Sequence, residues 1–154
     1  MASTLTVDNI VGATTAANVK LPAGCILQVL EGSFDTQTDV SSTSYVDSGL
    51  SVVITPKFST SKIYVVTNVA CFNNGTGFIG VQIVRNSSAI LNQYYGHGYS
   101  NNQSTIVGLT KLDSPATTSA TTYKVQIRKT GFTGTPRINQ QTGGSRITVM
   151  EVSV

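Results

Sequence analysis

The sequence predicts an all-β jelly-roll sandwich preceded by an extended amino-terminal arm. Three observations carry that expectation. Threonine, valine and isoleucine are frequent, and glycine or Asn/Ser clusters interrupt the chain at short intervals. Several stretches alternate apolar and polar residues with the period of a strand. No segment holds three or more turns of helical periodicity, and Pro22, Pro56, Pro115 and Pro136 all fall at apparent strand ends.

The elements follow in order. Residues 1–23 are rich in Ala, Thr and Asn, with isolated apolar residues at Leu5, Val7, Ile10 and Val11, and they lead into a Pro-Ala-Gly turn. Such a segment is too polar for a core element and too apolar for a mere linker. An attachment arm that docks on something else fits both facts; the bland alternative is a frayed terminus. Residues 24–154 are expected to form the sandwich. "CILQVLEG" reads as its first strand. "LSVVIT" places Leu50, Val52 and Ile54 on one face. "KIYVVTNVACF" carries apolar residues on both: Ile63, Val65, Val69 and Cys71 on one, Tyr64, Val66, Ala70 and Phe72 on the other. A strand of that kind is covered on both sides, either by a second sheet plus a partner subunit or by loops.

"FNNGTGF" then offers Asn74-Gly75 for the positive φ angles of a tight hairpin, with "FIGVQIVR" as the returning strand. "SSAIL" and "LNQYY" supply another strand or two, and "STIVGLTKL" the next. "TYKVQIRK" alternates cleanly, Tyr123, Val125 and Ile127 against Lys124, Gln126 and Arg128. "GFTGTPR" and "TGGSR" read as hairpin turns before the last strand, "RITVMEVSV". Eight or more strands in one domain point to a jelly-roll or a related sandwich.

Composition narrows function. Charged residues are 11% of the chain, under half the usual share of about a quarter. In their place 57 residues are Ser, Thr, Asn or Gln, so the surface is solvated by hydroxyls and amides. The net charge of +3 comes from ten scattered basic residues, whereas nucleic-acid binders gather theirs on one face. No nucleic-acid partner is expected. A secretory signal and an apolar run long enough to span a bilayer are both absent from the sequence, so membrane insertion is not expected. Cys25 and Cys71 lie in apolar strand-like runs and read as reduced, structural residues.

Catalysis finds little to work with. His97 is the sole histidine, and the carboxylates are only Asp8, Asp35, Asp39, Asp47, Asp113, Glu31 and Glu151. None makes a recognisable motif with His97. One histidine and two separated cysteines lack the close ligand pairs of a zinc site. No phosphate loop or dinucleotide fingerprint is present. The expectation is therefore no enzyme, no metal and no cofactor. Glycosylation triplets at Asn74, Asn86 and Asn102 mean little without a secretory signal.

One stretch stands out, "LNQYYGHGYSNNQ". Gly96 and Gly98 suggest a tight bend that would gather Tyr94, Tyr95, His97, Tyr99 and Asn101 at a strand end. Exposed tyrosine gives rigid contact area with a polar tip, and with Asn and Gln nearby it would suit a saccharide. Alternatively Tyr94 or Tyr95 packs inward and His97 is simply exposed at a turn.

"MASTLTVDNIVGATTAANVKLPAG", then "CILQV", "TSYVDSGLSVVITPKFSTSKIYVVTNV", "TYKVQIR" and "SRITVMEV" resemble small virion proteins of marine tailed bacteriophages, cyanophages among them, of the kind labelled tail-fibre-like, head-decoration or structural. The resemblance covers nearly the whole chain. It implies a jelly-roll similar to C1q and tumour-necrosis-factor folds, a homotrimer, and attachment to other virion proteins of capsid or tail through the amino-terminal segment. It supplies no catalytic residues. The expected role is a non-enzymatic virion protein, assembled in the host cytoplasm and displayed on the particle exterior as capsid decoration or fibre tip. The alternative is a receptor-recognition module that binds a host surface glycan through the tyrosine stretch.

Overall fold

In a computed structural model, residues 21–98, 102–131, 133–140 and 144–154 are described, residues 94–98 by their backbone alone. Among the described residues there are eight long strands and two short ones: β1 (Ile26–Phe34), β2 (Thr38–Asp39), β3 (Val46–Ile54), β4 (Lys62–Asn73), β5 (Phe78–Arg85), β6 (Ser88–Gly98), β7 (Gln103–Asp113), β8 (Thr121–Thr130), β9 (Arg137–Ile138) and β10 (Ser145–Val152). Sheet 1 runs β1-β10-β4, continues through β9 and β2, and adds β7 on the other side of β4. Sheet 2 runs β3-β8-β5-β6. All ladders are antiparallel.

Among the eight long strands the first pairs with the last, the second with the seventh, the third with the sixth and the fourth with the fifth. That is one long hairpin folded double, which is the jelly-roll expected from the sequence.

Alternation decides which residues meet between the sheets. Leu50, Val52 and Ile54 of β3, Ile63, Val65, Val69 and Cys71 of β4, and Tyr123, Val125 and Ile127 of β8 all point into one core, joined by Ile79, Val81 and Ile83 of β5 and Ile147 and Val149 of β10. Removing apolar surface from water on this scale is the main force holding the sheets together. Thr67 interrupts the apolar row of β4 but is satisfied, because its hydroxyl oxygen accepts from the Leu109 amide at 3.3 Å.

A buried ionic cluster pins sheet to sheet. Asp113 ends β7 in sheet 1, and its carboxylate accepts from the Arg85 guanidinium of β5 at 2.8 Å and from the Tyr123 hydroxyl of β8 at 2.7 Å. Burial, then the bond to Asp113, pushes the Tyr123 hydroxyl well above the usual phenol range. Glu151 does similar work at the same end of sheet 1, on the other side of β4. Wholly buried, it accepts from the Lys57 amide at 2.7 Å and the Gln28 side-chain amide at 2.6 Å, tying the loop after β3 to β10.

The structure departs from the sequence reading at three turns. Asn74-Gly75 is not the turn of a hairpin: β4 belongs to sheet 1 and β5 to sheet 2, so the link must cross between layers, and a two-residue turn would force the strands to pair. "GFTGTPR" likewise links β8 in sheet 2 to β9 in sheet 1. The tight hairpin is one turn later, where Asn86, at φ 54°, joins β5 to β6 and Arg85 pairs with Ser88. "SSAIL" and "LNQYY" are a single strand, β6.

Candidate assembly and binding faces

With the core filled, each sheet has an outer face, and the two are chemically unlike. On sheet 1 the register sets Val29, Met150, Tyr64 and Leu112 side by side across β1, β10, β4 and β7. Directly opposed residues of antiparallel strands share a face, so these four form one apolar row, roughly 14 Å wide at the usual strand spacing. Val29 is 53% exposed, Leu112 49% and Tyr64 37%. Farther along β4 and β7, Ala70 and Phe72 with Ser104 and Ile106 border a cavity of about 260 Å³ that Gln140 closes on one side. Ile106 is the most exposed large apolar residue here, at 59%.

Between Tyr64 and Phe72 on β4, and on the β7 residues opposite, this face carries no charged side chain. Cys71 lies beneath the cavity; burial pushes its thiol up to about 12, so it stays a neutral, inert part of the floor. The sequence had signalled this face through the two-sided apolar pattern of "KIYVVTNVACF".

Sheet 2 is polar outside. Gln82 of β5 donates to Gln126 of β8 at 2.6 Å, and Gln126 donates to Asp47 of β3 at 2.7 Å. The Lys124 ammonium also holds Asp47, at 2.8 Å. These hydrogen bonds, the lysine's first, keep the Asp47 carboxyl below its ordinary value of 3.8. Tyr45, just before β3, sends its hydroxyl to the side-chain oxygen of Asn92 on β6 at 2.7 Å. The Arg128 guanidinium lies 4.8 Å from the Tyr45 ring centre.

No known protein family and no curated sequence matches the chain. Solved structures do. Over 82% of its length it is similar to a chain of infectious bursal disease virus, strain Gx, with 9% identity and a TM-score of 0.48, and it spans 37% of that chain. A chain of the T13 particle of the same virus aligns over the same share with 11% identity and a TM-score of 0.49, and 36% of it is spanned. No functional reading is taken from this likeness, because one sandwich architecture hosts many unrelated functions.

Of the residues expected to bind a ligand, Tyr94, Tyr95 and His97 lie on β6. Their stretch is not the tight bend expected. The strand continues to Gly98, but the ladder slips: Val81 pairs with Gln93 and Ile79 with His97, so Tyr94, Tyr95 and Gly96 stand against Gly80 alone. The extra residues are absorbed as a bulge within the strand rather than as a turn. Tyr99 and Asn101 lie outside the described residues, as do Leu5, Val7, Ile10 and Val11 of the expected arm. Among the described residues no three His, Cys, Asp or Glu side chains gather as metal ligands, and no helix is long and apolar enough to cross a membrane. Cys25 and Cys71 are both free thiols.

Tyr45 escaped the sequence reading. A single tyrosine in the serine-rich "SSTSYVD" has no pattern that announces it. Only the folded sheet brings Asn92, Arg128 and Gly80 to it.

Proposed function

We propose that this chain is a non-enzymatic structural protein of a tailed-phage virion, working as a homotrimer whose subunits meet through the outer face of sheet 1. The observation that carries self-assembly is the uncharged apolar face from Tyr64 to Phe72 with its flanking row. Exposed apolar surface of this extent costs free energy in water and is removed by association. Identical subunits meeting on an uncharged face avoid the like-charge repulsion that symmetry would impose. The number three, the phage particle and the role of residues 1–23 as attachment arm to capsid or tail proteins come from the resemblance of "TVDNIVGATTAANVKLPAG" and "DSGLSVVITP" to phage virion proteins. In this reading the jelly-roll is displayed on the particle exterior after assembly in the host cytoplasm.

Sedimentation tests the association. The wild-type chain is expected at three times its 16.2 kDa mass. Tyr64→Glu with Leu112→Glu places two like charges per subunit in the buried row, which should shift the species to monomer with an unchanged β-sheet spectrum. A wild-type protein that sediments as a monomer at tens of micromolar, or a double variant that remains trimeric, rejects the interface.

A further inference from the structure

The outer face of sheet 2 pairs an aromatic plate with a fixed set of amides. Tyr45 reaches from the start of β3 across β8 and β5 to β6. Its ring lies along the sheet, because Arg128 of β8 stands 4.8 Å from its centre while its hydroxyl bonds Asn92 of β6 at 2.7 Å. Gly80 of β5 makes room: a Cβ there would come within 3.0 Å of the Tyr45 hydroxyl oxygen and 3.1 Å of the Arg128 chain. In the neighbouring row the Gln82→Gln126→Asp47 relay fixes which end of each amide donates and which accepts. Asn92 accepts through its oxygen, which leaves its N–H groups as donors beside the ring. The backbone bulge at Tyr94–Gly96 lies opposite the same Gly80.

We propose that this face binds a neutral polysaccharide, one pyranose ring lying on Tyr45 with its hydroxyls on Asn92 and Gln126, while the buried Gln82 orients the Gln126 amide from below. A sugar ring offers a flat patch of C–H groups, which suits an aromatic plate, and a rim of hydroxyls that both donate and accept. Amide side chains answer both needs; carboxylates and ammonium groups answer one each. The plate is held before any ligand arrives, by Arg128 and Asn92, so little rotamer freedom is left to lose on binding. Charge selects a neutral polymer: Asp47 is matched by Lys124 at 2.8 Å, and Arg128 is spent on the ring. The inference depends on sheet 2 alone, so its failure leaves the proposed assembly standing.

The test is biolayer interferometry of the full chain on immobilised dextran, mannan and galactan, with alginate and dextran sulfate alongside, at about 0.1 M and about 0.5 M NaCl. The expected result is binding to at least one neutral polymer that salt leaves unchanged. Tyr45→Ala should then weaken it about tenfold or more, equal to about 1.4 kcal/mol. Tyr45→Phe, which keeps the plate, should stay within about threefold. Asn92→Ala, at an exposed position, gives the same reading should Tyr45→Ala fail to fold, with an expected loss of about threefold to tenfold. Wild-type protein that binds none of the neutral polymers, that binds only the anionic ones with loss in salt, or that binds equally well as Tyr45→Ala and Asn92→Ala overturns the proposal.

Discussion

Cys71 shows how burial alone sets a side chain's chemistry. Its thiol is held neutral up to about 12 in the fold, while the unfolded chain ionises from its ordinary 9.0. A folded value raised above the unfolded one means that the associated stability is whole below 9.0 and drains away as pH climbs toward about 12. The melting temperature should therefore drop between about pH 8 and about pH 11, and drop less in Cys71→Ala. Tyr123, also pushed up, pulls in the same direction in both proteins, so the difference between them isolates the thiol. Equal drops would show that Cys71 does not titrate as its burial requires. Asp47 acts with the opposite sign: its depressed carboxyl adds stability above 3.8 that is lost as pH falls, though at an exposed site the amount is small. Neither shift could be read from sequence, since "VACFN" says nothing of the core that buries Cys71 and "YVDSG" nothing of Lys124 and Gln126 on the neighbouring strand.

At the scale of elements, close crossings decide more than propensities. β1 and β3 border the same open side of the sandwich and approach so tightly that a Cβ on Gly32 would fall 2.9 Å from the Ser51 carbonyl carbon and onto its oxygen. Backbone cannot yield there as a flexible side chain would. Gly32→Ala is expected to cost about 1–3 kcal/mol, read as a lowered midpoint in urea unfolding; an unchanged midpoint would mean that the two strands separate freely. The strands themselves were legible in sequence because period-two patterns such as "LSVVIT" and "TYKVQIRK" name both faces. Links were not. "NNG" has the turn chemistry of a hairpin, yet β4 and β5 sit in opposite layers, and β2 and β9, two residues each, are too short to leave a pattern.

Among the described residues, sheet 1 presents an uncharged, partly apolar face along β4 and β7, and sheet 2 an amide-rich one. The first suits contact with copies of itself, the second contact with a hydrated polymer. The arm is tested at this scale. Deleting residues 1–22 should leave a folded oligomer, because the first strand begins at Ile26 and, among the described residues, the core draws on nothing before Phe34. Particles assembled with the truncated chain should lack it; normal occupancy on purified particles would end the attachment reading.

The sequence by itself determined the all-β class, most strand positions, the inward residues of β3, β4 and β8, and the presence of a second apolar face on β4. Alternation is local, and the pleat converts it directly into two faces. Only the tertiary structure decided which strands pair, that Asn86 rather than Asn74 makes the hairpin, and that Tyr45 meets Asn92 and Arg128. Those outcomes follow from folding one long hairpin double, which brings distant residues together through sheet order, a quantity that no short window of sequence contains.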